Sequence, residues 1–331
     1  MKAIRMSRTG EPDVLELVDV PTPVAAQGQA LVKAHTIGVN MPEVHVRRGR
    51  YSWMPPLPVI PGIEMSGTIA ALGSGVRDFS VGQPVYVSAR ELPHRCGCYA
   101  EYIAVDTKAL LALPPEVDLE AAATLSSYQV AWHLLNSATR GFEYESVLIT
   151  AAAGGIGSAC VQLATAAGKR VIALVSSEAK AAFARNQGAR TAVVENEDHW
   201  GARILEATGG RGADLILDAV AGARFPTLFE HTAPLGLVIQ YGYLMGWPDS
   251  AAVFDAMRTR FGRSPALRLF SMHTFDDDRG MRRAANNALL DLFVRGVIRP
   301  VIQERIPLAE AARAHALLES GKVLGKLVLE P

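Results

Sequence analysis

The sequence predicts an α/β protein in which a β-rich region precedes a parallel sheet covered by helices on both faces. Two patterns support this fold class. Before residue 119 the chain is rich in glycine and proline, and it alternates apolar with polar residues, as in 30–35 and 67–72. From residue 119 onward, short continuous apolar runs alternate with amphipathic segments, which is typical of parallel strands buried on both faces.

The elements follow in order along the chain. In the first region the pattern predicts strands at 30–35, 67–72, 81–87 and 102–105. After a helical segment at 120–138, it predicts strands at 147–150, 171–175, 191–194, 214–218 and 237–241, with helices at 156–167, 178–186, 199–207 and 222–233. The tail predicts a strand at 267–272 and a helix at 276–295; after the short run Pro300-Val-Ile it predicts a helix at 308–319 and a strand at 326–329. Strand-type segments at both ends indicate that the tail returns to the first region.

Composition excludes several classes of protein. The chain has 331 residues, enough for about two domains at roughly 150 residues each. Its 33 basic and 33 acidic residues cancel, so no net charge attracts nucleic acid or anionic lipid. With 49% hydrophobic residues the chain is not disordered. Three cysteines are too few for a disulfide scaffold, and no signal peptide is evident, which predicts a cytoplasmic protein.

The uncharged stretch 146–168 is long enough to cross a membrane, but its glycines predict a strand, a turn and a helix instead. Within it, a strand ending at Thr150 leads into Ala152-x-Gly154-x-x-Gly157 and then into an apolar helix. This is the dinucleotide-binding fingerprint with alanine in the first glycine position. Small residues let the backbone approach a pyrophosphate, and the positive end of the helix holds it. The predicted contacts are Ala152, Gly154, Gly155, Ile156 and Gly157; a simple glycine turn is the alternative.

The residues that follow the second predicted strand of the parallel sheet, at 171–175, indicate whether NADH or NADPH binds. NAD enzymes commonly place an acidic residue there to bind the ribose 2′-hydroxyl. Here Ser176 and Ser177 follow the strand, and Lys180 lies one turn further on. Two hydroxyls and an ammonium group suit a 2′-phosphate, so we expect NADPH rather than NADH. Glu178 leaves a second reading open, since it could bind a ribose hydroxyl or simply favour the helix N-terminus.

The motifs together resemble those of one family. They are Gly38-Val-Asn40, Arg47-x-Gly-x-Tyr51, Pro61-Gly-x-Glu-x-x-Gly67, Val81-Gly-x-x-Val85, Tyr99-Ala-Glu-Tyr102, Ala151-Ala-Ala-Gly-Gly-Ile-Gly157, Val175-Ser-Ser-Glu-x-Lys180, Thr208-Gly-Gly-Arg-Gly-x-Asp214, Ala314-His-x-Leu-Leu-Glu-Ser320 and Gly325-Lys-x-Val328. The chain resembles the zinc-independent quinone oxidoreductases, the zeta-crystallin-like family of the medium-chain dehydrogenase/reductase superfamily. The resemblance implies a GroES-like β-barrel catalytic domain at 1–121 and 262–331, and a Rossmann domain at 122–261. It also implies a homodimer or homotetramer, with strand 267–272 as the pairing edge.

The resemblance bears on zinc residue by residue. Zinc-dependent relatives have a cysteine ligand where this chain has Asn40, and a histidine where it has Ile63. A catalytic zinc takes three cysteine, histidine or carboxylate ligands, so we expect no metal. Without a Lewis acid, the acceptor must need little activation. A quinone or a conjugated carbonyl meets that condition.

The resemblance also assigns site residues. Asn40 and Tyr51 are expected to be catalytic. Asn40 would donate a hydrogen bond to a substrate carbonyl; the alternative is that it only caps a turn. Tyr51 would donate a proton; the alternative is that it is an apolar lid residue. Glu64 is expected to form a buried structural hydrogen bond. The expected residues of the substrate pocket are Glu43, His45, Tyr128 and Tyr243. Glu43 and His45 would form a proton relay; the alternative is that they are a surface pair. Further expected cofactor contacts are Asn40, Val130, Ala219, Tyr241, Gly242, Tyr243 and Met272.

Three features of the sequence depart from the family pattern and leave alternatives open. Val130 stands where relatives have a hydrogen-bonding threonine, and Glu195 stands where a tyrosine helps to hold the phosphate. Segment 241–246 is unusually aromatic, which favours a bulky, flat or lipid-like acceptor. The leading prediction is an NADPH-dependent reductase of small quinones or conjugated carbonyls, which acts without a nucleic-acid or membrane partner. A 2-enoyl-thioester or enone reductase, and a cofactor-binding structural or sensor protein, are the alternatives.

Overall fold

The computed structural model describes residues 1–92, 94–195 and 199–331. The chain forms two compact units, one made of 1–126 with 289–331 and the other of 127–288. The strands are β1 (Lys2–Met6), β2 (Leu15–Asp19), β3 (Gln29–Val39), β4 (Glu64–Leu72), β5 (Pro84–Ser88), β6 (Tyr102–Asp106), β7 (Leu110–Ala112), β8 (Ser146–Thr150), β9 (Arg170–Val175), β10 (Thr191–Val194), β11 (Ala213–Asp218), β12 (Thr232–Gln240), β13 (Ala266–Leu269), β14 (Ile302–Pro307) and β15 (Lys326–Glu330).

The helices connect these strands. The α-helices are α1 (Met41–Arg47), α2 (Leu119–Ala122), α3 (Leu125–Leu135), α4 (Gly155–Ala166), α5 (Glu178–Asn186), α6 (Trp200–Ala207), α7 (Ser250–Thr259), α8 (Arg279–Val294) and α9 (Ala311–Glu319). Short 3₁₀ helices lie at Pro12–Val14, Ala89–Glu91, Thr107–Ala109, Gly222–His231, Phe261–Arg263, Met272–Phe275 and Leu308–Glu310. No helix in the described parts of the chain is both long and apolar enough to cross a membrane.

The first unit is built on a mostly antiparallel sheet with the strand order β14-β15-β3-β4-β5-β7, in which β6 also pairs with β3. Its core is formed by residues such as Ile37, Met65 and Leu327, which are fully buried. Strand β15 pairs with β3 and sets Leu327 opposite Val39. The predicted return of the C-terminal strand to the first region is therefore confirmed. This pairing brings residue 326 beside the end of β3, where residue 40 begins α1.

The second unit is a parallel sheet with the order β10-β9-β8-β11-β12-β13. This is the doubly wound order in which the first strand of the unit, β8, lies at the point where the winding reverses. Ligands of such sheets bind at the carboxyl ends of the strands near that point. The strand runs are apolar because helices cover the sheet, and Leu148, Ile172 and Ile216 are fully buried.

Two features of the second unit differ from prediction. We predicted the second domain boundary at 261/262, but β13 pairs in parallel with β12, so residues up to 288 belong to the second unit. The expected pairing edge at 267–272 overlaps β13, which forms one edge of this sheet. We also predicted a regular helix at 222–233; the segment is a 3₁₀ helix that contains Pro226, which has no N–H to donate.

Candidate functional site

The glycine loop joins β8 to α4 in a strained turn. Ala151 has a φ of 47°, a region that non-glycine residues rarely adopt. A Cβ on Gly157 would lie 2.3 Å from the Ala151 carbonyl oxygen, so only glycine permits this helix and strand to pack so closely. A Cβ on Gly154 would meet only that same oxygen, at 3.5 Å, which leaves open space above the backbone.

That open space lies at the N-terminus of α4, where the first backbone N–H groups have no acceptor within the helix. These donors and the positive end of the helix fit a pyrophosphate. The hydroxyl of Thr150 donates to Asp218 Oδ1 over 2.8 Å and accepts from the Ala219 amide at 3.1 Å. This pair ties the loop after β8 to the loop after β11. We did not predict a role for Thr150 or Asp218.

The end of β9 carries a small polar cluster. Lys180 Nζ donates to Ser176 Oγ over 2.7 Å, and the Ser177 hydroxyl caps α5 by accepting from the Lys180 amide. Partial burial lowers the pKa of Lys180. Glu178 is exposed and lies 3.8 Å from Arg185. The geometry therefore offers an ammonium and two hydroxyls at the edge where a ribose phosphate would bind.

Glu195, which stands where relatives have a phosphate-binding tyrosine, is paired with an arginine. Its amide donates to the Val175 carbonyl over 2.8 Å, so the residue lies directly beside the end of β9. Its carboxylate pairs with Arg224 Nε at 2.5 Å, and Arg224 Nη2 also reaches Asp218 Oδ1 at 3.2 Å. The sequence held no signal for this pairing, because Arg224 follows a different strand.

The first unit carries a buried polar network around Glu64. This fully buried carboxylate accepts from the Ser126 amide at 2.8 Å, the Ser126 hydroxyl at 2.7 Å and the Tyr86 hydroxyl at 3.2 Å. Burial, followed by the neighbouring Glu64, raises the pKa of Tyr86 well above its ordinary value. The predicted buried hydrogen bond of Glu64 is confirmed. A Cβ on Gly38 would lie 2.4 Å from the Ala123 carbonyl oxygen and 2.5 Å from Glu64 Oε1, so glycine is required there.

Asn40 belongs to the same network. Its side-chain amide donates to Glu64 Oε1 over 3.0 Å, and its Oδ1 accepts from Lys326 Nζ at 2.5 Å. Asn40 begins α1, but its side chain forms no capping hydrogen bond, so the turn-cap alternative is wrong. Lys326 also donates to the Val39 carbonyl at 3.1 Å and lies 3.5 Å from Glu64. We missed Lys326, although it is the lysine of the Gly325-Lys326 motif.

Glu43 lies inside this unit, 2% exposed, so the surface-pair alternative is wrong for it. Its Oε1 accepts from the Ile63 amide at 3.2 Å and lies 3.5 Å from Asn40 Nδ2. Burial raises the pKa of Glu43 to about 8. His45 is half-buried, and burial lowers its pKa.

The remaining predicted residues divide by position. Tyr51 is half-buried and packs against Trp53, with ring centroids 5.7 Å apart. In the second unit, the Tyr128 hydroxyl donates to Gln162 over 2.9 Å, so it has an internal partner. Tyr243 stacks on Trp247 at 5.1 Å. A Cβ on Gly242 would lie 2.5 Å from the Ala219 carbonyl oxygen, so these two predicted contacts adjoin. Val130 lies on α3, and Tyr241 directly follows β12. Met272 begins the 3₁₀ helix at Met272–Phe275.

The donor set at Asn40 does not fit a zinc ion. The amide oxygen of Asn40 is occupied by the ammonium of Lys326, and Ile63 offers no ligand atom. Among the residues that the structure describes, no three His, Cys, Asp or Glu side chains are grouped to hold a metal ion. The three cysteines, Cys96, Cys98 and Cys160, are free thiols.

Comparisons with known proteins agree with this architecture. Residues 26–115 match the alcohol dehydrogenase GroES-like domain, and residues 187–329 match a zinc-binding dehydrogenase domain. The quinone oxidoreductase of Pseudomonas aeruginosa is 31% identical over 333 residues, which cover 100% of this chain and 99% of that protein. The chain belongs to the quinone oxidoreductase family.

Other relatives lie within the same superfamily. A 2-haloacrylate reductase of a Burkholderia species is 29% identical over 98% of this chain and 97% of its own. The structure of Escherichia coli quinone oxidoreductase complexed with NADPH has a TM-score of 0.88 and 27% identity over the whole of both chains. The predicted family and the predicted combination of a GroES-like domain with a Rossmann sheet are confirmed. Membership of this family makes the chain an oxidoreductase that acts on small molecules.

Proposed function

We propose that this quinone oxidoreductase family member is an NADPH-dependent reductase of quinones and conjugated carbonyls. The observation that carries the proposal is the Lys180–Ser176 contact beside Ser177, at the end of β9. In the doubly wound fold this edge receives the adenosine ribose. A lysine and two hydroxyls suit a 2′-phosphate, and the pairing of Glu195 with Arg224 offsets the charge of the Glu195 carboxylate near them.

Residues of the second unit would hold the cofactor. The N-terminal N–H groups of α4 would bind the pyrophosphate above Gly154, while Ala219 and Gly242 would line the path towards the nicotinamide. When bound, NADPH supplies a hydride. The E. coli relative complexed with NADPH supports this choice of cofactor.

Residues of the first unit would serve the acceptor. We propose that Asn40 orients the acceptor carbonyl and that Tyr51 and His45 contact the acceptor. The Lys326–Asn40 and Asn40–Glu64 hydrogen bonds support a fixed orientation of the Asn40 amide. A preorganised donor contributes more than a mobile one, because it needs no reorientation during the reaction.

The cofactor site is tested by Lys180→Met, with Lys108→Met as a matched control at an exposed position. Loss of one charge-assisted hydrogen bond, about 1.5–3 kcal/mol, should raise the Kd for NADPH at least about tenfold. The Kd for NADH should stay the same, because NADH has no 2′-phosphate. Equal losses for both cofactors, or no loss for NADPH, would refute the phosphate site.

The acceptor is tested with 1,4-benzoquinone and crotonyl-CoA. The 2-haloacrylate reductase relative favours a second candidate, reduction of an activated carbon–carbon double bond. NADPH oxidation with benzoquinone supports the quinone reductase. Oxidation with crotonyl-CoA alone supports the enoyl-thioester reductase. Cofactor binding without turnover on either acceptor would favour the structural or sensor alternative.

We further propose a homodimer or homotetramer that pairs through β13. This strand is the edge of its sheet, and its Leu269 side chain is 63% exposed. An unpaired edge strand with apolar side chains favours association. Sedimentation equilibrium would show a dimer or tetramer if this is correct and a monomer if it is not. The cytoplasmic location stays a prediction, which fractionation of the source cells would test.

A further inference from the structure

A buried carboxylate joins the carboxyl ends of β8 and β11 in the second unit. Asp218, the last residue of β11, is fully buried. Its Oδ1 accepts from the Thr150 hydroxyl at 2.8 Å and from Arg224 Nη2 at 3.2 Å, and its Oδ2 accepts from the Ala221 amide at 2.7 Å. The Thr150 hydroxyl in turn accepts from the Ala219 amide at 3.1 Å. One carboxylate therefore links the last residue of β8, the loop that follows β11 and Arg224.

Both loops that meet at this carboxylate have a strained backbone. Ala221 has a φ of 56° and a ψ of −134°, and Ala151 in the glycine loop has a φ of 47°. Residues other than glycine rarely adopt these conformations, and they persist only where the surrounding structure holds them. Ala151 directly follows Thr150, and Ala221 donates to Asp218. The Thr150–Asp218 hydrogen bond thus lies at the base of both strained turns.

Residues 219–222, which we call the β11 loop, also hold the segment that follows β12. The Leu244 amide donates to the Ala219 carbonyl over 3.2 Å. The Met245 amide donates to the Val220 carbonyl over 2.9 Å. The shape of the β11 loop therefore sets the position of the next segment as well. Both lie at the carboxyl edge of the sheet, where doubly wound folds bind their ligands.

The opposite end of the same two strands has a similar arrangement. Asp214, near the start of β11, accepts from the Ser146 hydroxyl at 2.8 Å and from the Ser146 and Glu145 amides. Its other oxygen lies 3.3 Å from Arg211. An aspartate, a hydroxyl and an arginine therefore tie β8 to β11 at each end. Only the end at Asp218 adjoins the glycine loop, so the end at Asp214 provides a matched control.

We propose that Asp218 is a positioning residue of the dinucleotide site, which fixes the β11 loop against the glycine loop and holds Arg224 beside Glu195. This inference rests on the proposed function. Asp218 is fully buried and acts through the backbone that it holds. NADPH and NADH differ only in the 2′-phosphate, so loss of the loop's shape should weaken binding of both. Removal of a negative charge would by itself tighten binding of an anionic dinucleotide, so the direction of the change separates positioning from charge.

The first test compares Asp218→Asn with Asp214→Asn by fluorescence titration and thermal unfolding. Both variants place an amide among hydrogen-bond donors, so both should lower Tm. Asp218→Asn should also raise the Kd for NADPH and for NADH by about tenfold. Asp214→Asn should leave both constants unchanged. Unchanged or tighter binding in Asp218→Asn, or an equal loss in Asp214→Asn, would overturn the inference.

The second test needs no dinucleotide and serves if Asp218→Asn does not fold. Thr150→Val is close to threonine in size but lacks the hydroxyl, whereas Thr150→Ser keeps it. Amide hydrogen exchange in the β11 loop should be faster in Thr150→Val than in the wild type, and unchanged in Thr150→Ser and in the control Ser146→Ala. Equal exchange in Thr150→Val and the wild type would overturn the inference. A wild type that binds neither dinucleotide would instead refute the proposed function, and the exchange rates would still decide whether this contact holds the loop.

Discussion

Arg224 holds the carboxylate of Glu195 through an Nε–Oε1 contact of 2.5 Å. The two residues follow different strands, β11 and β10, and Glu195 lies beside the proposed phosphate-binding serines through its hydrogen bond to Val175. A carboxylate in this position would repel a 2′-phosphate if it were not paired. The ion pair therefore explains how a chain with Glu195 retains a site suited to NADPH.

Arg224→Ala should weaken NADPH binding by about tenfold, the effect of one unit charge at roughly 10 Å and an effective dielectric constant of about 20. NADH binding should change much less. The double variant Arg224→Ala with Glu195→Gln should recover NADPH affinity, because the repelling charge is then gone. Fluorescence titration measures both constants. An equal loss for both cofactors would mean that Arg224 acts on the adenosine or on the fold instead.

The glycine loop allows two substitutions with different outcomes. Gly157→Ala places a Cβ 2.3 Å from the Ala151 oxygen and should destabilise the protein by about 1–3 kcal/mol. Gly154→Ala meets that oxygen only at 3.5 Å and should leave Tm nearly unchanged. It should still weaken NADPH binding, because its methyl group occupies the space proposed for the pyrophosphate. Thermal unfolding and cofactor titration separate these effects; a Gly154→Ala variant with full affinity would place the phosphates elsewhere.

Glu43 makes the stability of the folded protein depend on pH. Its pKa is about 8 in the folded state and 4.5 ordinarily, so the unfolded chain releases this proton first as pH rises. Stability is lost between pH 4.5 and 8, by about 3 kcal/mol at pH 7. Glu43→Gln lacks this loss, so its stability advantage over the wild type should grow from pH 4.5 to 8. Urea unfolding at several pH values measures the difference, and a constant offset would contradict the buried neutral acid.

His315 produces a dependence at the acidic end. Burial, followed by the charge of Arg47, lowers its pKa to about 3 from the ordinary 6.5. The folded state keeps the ring neutral, while the unfolded chain binds a proton below pH 6.5. Stability should fall as pH drops from 6.5 towards 3, by about 2 kcal/mol at pH 5. His315→Gln should flatten the curve, unlike His94→Gln at an exposed position. Parallel curves for both variants would refute this assignment.

The sequence predicted most of the second unit because its signals are local. The strand, the glycine turn and the helix from Ser146 to Ala166 follow from periodicity and small residues within a short stretch. The pattern of β13 alone did not identify its sheet, since four residues carry no information about which edge they extend; only the family resemblance pointed to a pairing edge there. The type of an element was therefore predictable where the pattern was long, but the strand with which an element pairs was not.

The candidate sites show the same division. Ser176 and Lys180 lie four residues apart on the end of a strand and the first turn of a helix, so their contact was predictable. Lys326 meets Asn40 from 286 residues away, and Arg224 meets Glu195 across strands that are not neighbours in the sheet. Sequence spacing gives no measure of such distances. The burial of Glu43 was likewise invisible, because a glutamate on a short helix is usually exposed.

The central claim, that the protein transfers two electrons from NADPH to a quinone, is tested most directly by an anaerobic reaction with 1,4-benzoquinone. The account predicts one hydroquinone for each NADPH oxidised, no semiquinone radical in the electron paramagnetic resonance spectrum, and a much lower kcat/KM with NADH. A radical product, a preference for NADH, or NADPH binding without hydroquinone formation would contradict it.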